Sequence, residues 1–152
     1  MQAKHASESY TEQVQILFSG DLNGSKRLFG GKLMAWIDVV AAVTARRHCG
    51  KNVTTAVVDS LVFLGAARVN DTLVLRGQVT YTGRTSMEVK VETFVEELDG
   101  SKRMVNTAYV VLVALDEQEH PTKVPPLLIE TDEEQALWEE AKKRCEMRKQ
   151  NR

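Results

Sequence analysis

The chain has 152 residues, enough for one domain with a real core and too few for two ordinary ones. With 43% hydrophobic residues, 27% charged residues and a formal net charge of −1, it has a globular composition and no global field to draw it onto nucleic acid or an anionic membrane. Cys49 and Cys145 lie far apart without metal-ligand or CxxC spacing, so they read as free thiols of a reducing compartment and no metal site is expected. The start, MQAKHASESYTEQ, has no apolar h-region, and no run of about 18 apolar residues occurs anywhere, so no signal peptide or spanning helix is expected. The predicted setting is cytoplasmic.

After a loose start at residues 1–6, residues 7–19 alternate, with Tyr10, Val14, Ile16 and Phe18 on one side of a strand. Residues 20–27 (GDLNGSKR) are dense in turn formers. From Leu33 to Ala45 only Asp38 and Thr44 are polar, which predicts a helix buried nearly all round. Arg46, Arg47 and His48 complement the dipole of its last turn, and Gly50 stops it.

The period then changes to two. Residues 52–64 are rich in β-branched residues, as a strand covered on both faces would be. Strands follow at 72–82 and 86–95, and Asp99-Gly100 turns the chain into a last strand near 102–115. Residues 116–131 hold all three prolines and are expected to be irregular. Residues 132–149 form a charged amphipathic helix capped by Thr131 or Asp132. One α+β domain over 1–152 is predicted, its core at about 7–130 and a C-terminal helix and tail at 131–152. A long antiparallel sheet and one apolar helix predict a sheet wrapped around that helix, and open sheet edges predict an oligomer.

Asp38 is the anomaly, because an ionised carboxylate in an apolar setting costs several kcal/mol unless it is paired, hydrogen-bonded or near water. Such groups often mark functional sites. The alternative is that Asp38 faces a wet seam between subunits or caps a neighbouring backbone group. Gly30-Gly31 opens the helix, where free first-turn N–H groups can receive an oxyanion or carbonyl oxygen; tight packing against the sheet is the competing explanation. Asn23 by itself reads as an ordinary turn residue.

Taken together, D-L-N-G-S-K-R-L-F-G-G-K-L-M-A-W-I-D, residues 21–38, closely resembles the signature of the hotdog acyl-CoA thioesterases, the branch of bacterial acyl-CoA hydrolases and mammalian two-domain acyl-CoA hydrolases. The resemblance continues through 41–48, 55–63, 79–91 and 116–127, nearly the whole chain. It implies a hotdog fold with a long helix inside a curved sheet, and hydrolysis of acyl-CoA to free acid and CoA. It also implies a homo-oligomer of paired hotdogs, mostly a trimer of dimers, with a site shared across each dimer. Asp38 is then general base or nucleophile, Asn23 positions the water or the carbonyl, and the Gly31 N–H polarises the thioester. Gly30 and the turn Gly83-Arg84-Thr85-Ser86 lie along CoA, with Arg84 toward a phosphate and Ser86 toward a pantetheine amide. CoA enters as substrate and no cofactor is expected.

The pattern departs from the family at Phe29, before the glycines, and in the basic loop 24–27. Asp59 is expected to be structural at a subunit interface, His48 a helix-end residue, and the run KKRCEMRK at 142–149 a solvated helix face. A hotdog dehydratase or hydratase is the first alternative, but it needs a catalytic His where this helix presents Asp38. A non-catalytic acyl-CoA-binding regulator is the second.

Overall fold

The computed structural model describes residues 1–28 and 30–151. In chain order the elements are β1 (Lys4–His5), β2 (Thr11–Ile16), α1 (Gly30–Cys49), β3 (Asn52–Phe63), β4 (Thr72–Thr82), β5 (Ser86–Glu96), β6 (Lys102–Leu115), β7 (Leu127–Leu128) and α2 (Asp132–Gln150). Five strands form one antiparallel sheet in the order β2-β4-β5-β6-β3, and β1 and β7 pair in parallel as a small second sheet. The run β4-β5-β6 is a plain meander, whereas β3 joins at the far side and becomes an edge.

α1 packs against all five strands of the large sheet. Its contact face is a stripe of Leu33, Ile37, Val40, Ala41, Thr44, Ala45 and His48, all buried at helical spacing. The sheet answers with inward residues at period two, among them Leu73, Leu75 and Val79 on β4 and Met87, Val89 and Val91 on β5. The helix packs tightly on the sheet at Gly77, where a Cβ would stand 2.5 Å from Thr44 Oγ1 and 2.9 Å from Val40 Cγ1. Only glycine lets the helix lie that near the strand. The helix stops at Gly50, whose left-handed φ of 67° lets its N–H donate to the Arg46 carbonyl at 2.7 Å.

Two expectations are corrected here. α1 is not buried all round: Gly31, Ala35, Asp38 and Val39 form an open side. Nor is β3 covered on both faces; most of its residues are exposed, including Val58, Val62 and Phe63. Its β-branched composition reflects apolar surface that the protomer leaves uncovered.

α2 starts at Thr131, whose hydroxyl accepts from the Glu134 N–H while the Glu134 side chain returns to the Thr131 N–H, a reciprocal cap. It lies on the outer face of the sheet, where Trp138 meets Tyr81 with ring centroids 4.3 Å apart. Arg144 forks onto the buried Glu88 carboxylate at 2.8 and 3.0 Å and stacks over Tyr109. Arg148 donates to Asp59 at 2.7 Å. The basic run at 142–149 is therefore not simply a solvated face; two of its arginines clamp the helix to the sheet. Asp59, on the edge strand β3, has a structural partner within its own protomer.

His48 holds the irregular segment that follows β6. The Pro125 carbonyl can only accept, so His48 Nε2–H donates to it at 2.7 Å, and the buried Nδ1 has no partner among the described residues. Burial pushes the His48 pKa below its ordinary value, with Lys4 adding to the effect and the Pro125 bond and Glu8 opposing it. Unfolded His48 titrates near 6.5, so the unfolded chain takes up the proton first as pH falls. Stability from this site is complete above about pH 6.5 and declines on acidification through the window between the two values. Melting temperatures from pH 8 to 5 should show that decline, and a His48→Gln protein should lose part of the slope. No helix among the described residues is long and apolar enough to cross a membrane.

Candidate active site

Asp38 projects from the open side of α1, and its Oδ1 accepts a 2.6 Å hydrogen bond from the hydroxyl of Thr55 on β3. Thr55 stands opposite Leu112 of β6, next to a register shift between Thr55 and Val57. The bond fixes the carboxylate's rotamer, and Oδ2 has no hydrogen-bond partner among the described residues. No cation pairs with Asp38 among those residues either. The apolar surroundings expected of Asp38 are not made by the protomer, in which the side chain is exposed.

The two glycines precede Asp38 by about two helical turns, roughly 10 Å of rise. Gly31 is exposed in the first turn, where N–H groups have no partner in the preceding turn. A Cβ at Gly30 would meet only Phe63, at an ordinary 3.8 Å, so packing within the protomer does not demand glycine there. Phe29 lies outside the described residues.

Asn23 sits in an exposed loop closed by the Leu22–Leu28 bridge. Its Oδ1 accepts from the N–H groups of Ser25 and Arg27 at 2.8 and 3.3 Å, an Asx turn, and its amide nitrogen has no hydrogen-bond partner among the described residues. With Leu33, Phe63 and Val105 it lines a cleft of about 380 Å³ that does not include Asp38 or Thr55. Asn23 and Asp38 share no hydrogen bond among the described residues.

The turn at 83–86 is pinned by its backbone. Gly83 N–H donates to the Ser86 carbonyl, Ala114 N–H to Thr85, and Val124 N–H to Arg84, all at 2.9–3.0 Å. The Arg84 side chain is exposed. Ser86 stands opposite Val113, which in turn stands opposite Thr54 on β3. Two strand spacings, roughly 10 Å, therefore separate Ser86 from the neighbourhood of Thr55. A larger cleft, about 760 Å³, lies beyond the C-terminal end of α1 between Arg46, Lys51, Asn52 and Asp116. Among the described residues no group of three or more His, Cys, Asp or Glu side chains is arranged to hold a metal ion.

Thr55 is the residue that sequence reasoning missed. It opens the block T-A-V-V-D-S-L-V-F at 55–63, where a threonine looks like one more β-branched strand former.

One long helix held against an antiparallel sheet, with a second helix behind the sheet, defines a hotdog fold of the α+β class. The sequence pattern of the Thioesterase superfamily matches residues 26–101. An uncharacterized acyl-CoA thioester hydrolase of Bacillus subtilis strain 168, YkhA, is 37% identical over 97% of this chain and 87% of its own length. A hexameric acyl-CoA thioesterase solved in its apo form superimposes with a TM-score of 0.94 at 39% identity, over 99% of this chain and 97% of its own. The acyl-CoA hydrolase of Staphylococcus aureus, solved with butyryl-CoA, CoA and CoA disulfide, gives 0.93 at 36% identity, over 98% and 92%. Structures of that enzyme also exist with an aspartate, an asparagine or a threonine replaced by alanine. The chain belongs to the thioesterase superfamily.

Proposed function

We propose that this protein hydrolyses acyl-CoA thioesters to free carboxylic acid and CoA, at a site completed by two protomers. The observation that carries the reading is Asp38, oriented by Thr55 on an uncovered side of the protomer, while Asn23 of the same chain lines a cleft that does not include it. The uncovered strand β3 is an edge, and edge-to-edge pairing of two such strands covers Asp38 and brings in the Asn23 loop of the neighbouring protomer. The relatives support the chemistry, and the S. aureus variants change the same three residue types that meet in this arrangement.

In this mechanism Asp38 takes a proton from water as the water oxygen attacks the thioester carbonyl carbon. Asn23 aligns the water or the carbonyl through its free amide. The developing oxyanion points at the Gly31 N–H, a donor whose loss typically costs about 10²–10³ in rate. Collapse of the tetrahedral species breaks the C–S bond, and the CoA thiolate recovers the proton. Attack by Asp38 itself, followed by hydrolysis of the anhydride, uses the same geometry. Gly30 gives the substrate room at the helix start, Arg84 meets a CoA phosphate, and Thr85 and Ser86 border the pantetheine arm. CoA is part of the substrate, and the reading uses no metal or cofactor. The whole chain acts as one hotdog domain in a cytoplasmic homo-oligomer, a trimer of dimers.

A hydratase reading is disfavoured because His48 is buried against Pro125 and does not accompany Asp38. The test is release of free thiol from a ladder of acyl-CoA substrates, acetyl to palmitoyl. Saturable turnover of at least one length is expected, with Trp36 and Phe63 beside the site as candidates to set the preferred length. Binding of CoA esters without turnover of any would sink the enzymatic reading and favour a sensor.

A further inference from the structure

β3 addresses both faces of the sheet from one short stretch. In a regular strand Thr55, Val57 and Asp59 would share a face, because side chains alternate. Here Thr55 stands opposite Leu112 and Val57 opposite Val111, which leaves Ala56 as an extra residue with no counterpart on β6. The bulge turns the strand over. Thr55, across from the core residue Leu112, keeps to the inner side and donates to Asp38 of α1. Asp59, across from Tyr109, keeps to the outer side, where it accepts from Arg148 of α2 at 2.7 Å.

Such a register is easily lost. Among the described residues β6 is the only strand that β3 pairs with, so a single ladder holds it. A second irregularity follows between Asp59 and Val62, where Ser60 takes a left-handed φ of 53°. Only Val57, Val58 and Asp59 pair regularly between the two. For the extra residue to pass down the strand beyond Asp59, that side chain would have to turn from the outer face to the inner one and leave Arg148. The ion pair therefore traps the bulge beside Thr55, and a bulge bends and twists the strand where it sits, re-aiming its neighbours. With 23% and 29% of their side chains exposed, Arg148 and Asp59 are partly withdrawn from water, where screening is weaker than on the open surface. The helix that carries Arg148 is itself anchored one turn earlier by the fork of Arg144 on Glu88.

We infer that Arg148 is a positioning residue for the hydrolysis: through Asp59 it keeps the bulge at Ala56, and the bulge aims Thr55 at Asp38. The inference rests on the reading of Asp38 as the group that activates water. It gives α2, which lies on the opposite face of the sheet from α1, a part in the geometry of the site.

The test measures kcat, KM, solution mass and melting temperature for the full-length wild type, Arg148→Gln, Arg148→Lys, Thr55→Val and the double variant Arg148→Gln/Thr55→Val. Trp138→Phe, which weakens α2 at its contact with Tyr81, controls for a general loss of stability. Arg148→Gln should lower kcat about five- to tenfold, with KM within about twofold of the wild type and mass unchanged. The contact is a single Nη1–Oδ2 bond and not a fork, so Arg148→Lys should return kcat to within about twofold of the wild type. Once Thr55 is gone, Arg148→Gln should add less than about a twofold loss, because both changes act through one bond. The Thr55 methyl signal in NMR, identified by its absence from Thr55→Val, should move in Arg148→Gln and stay in Trp138→Phe. A wild-type kcat in Arg148→Gln overturns the inference, as do losses that multiply in the double variant or a Trp138→Phe protein that loses as much activity. A fall in mass overturns it too, and would make the ion pair a support of the dimer seam. A wild type that turns over no acyl-CoA, while Arg148→Gln still moves the Thr55 methyl, leaves the coupling standing and defeats the thioesterase reading instead.

Discussion

Replacing Asp38 with asparagine is expected to lower kcat by about 10²–10⁴, the usual contribution of a general base, with KM and oligomer mass nearly unchanged. The substitution suits the question because an asparagine oxygen still accepts from Thr55, so the rotamer and the neighbouring strand survive. Only the capacity to take a proton is removed. Thr55→Val makes the complementary change: it leaves the base and frees its rotamer, and should cost less, up to about 10² through misplacement. A variant with Asp38→Asn that turns over near the wild-type rate would eliminate Asp38 as the essential group.

Mixing two inactive proteins, one with Asn23→Ala and one with Asp38→Ala, is expected to restore activity. If sites form between protomers, a mixed dimer carries one site with both changes and one with neither. Random exchange makes half of the dimers mixed, so recovery should approach about a quarter of wild-type turnover. The basis is that within one chain Asn23 lines a cleft that includes neither Asp38 nor Thr55, which holds it. Proven exchange without recovery would place both residues of each site in a single protomer.

Much of the fold was legible because it is locally encoded. The alternation at 72–82 and at 102–115 gives the observed limits of β4 and β6, and the α2 cap falls at Thr131 as its residue type requires. Strand order was less accessible. Nothing local to residues 52–64 says that β3 crosses to the far side of β6, and an apolar strand looks the same whether its own core or another chain covers it. The same ambiguity hid the open side of α1. Arg144 and Arg148 looked solvated because their partners, Glu88 and Asp59, lie on distant strands.

The site divides in the same way. By itself the sequence singled out the candidates for the chemistry: Asp38 set in an apolar helix, the glycine pair at that helix's start, and Asn23 in the loop before it. Their types and spacing depend on local backbone geometry, which is short-ranged. Only the tertiary structure decided that Asp38 is held by Thr55, that it is exposed in the protomer, and that Asn23 lines a cleft that does not include it. Those outcomes depend on which strands become edges and which apolar faces remain uncovered. Packing between segments distant in sequence settles both.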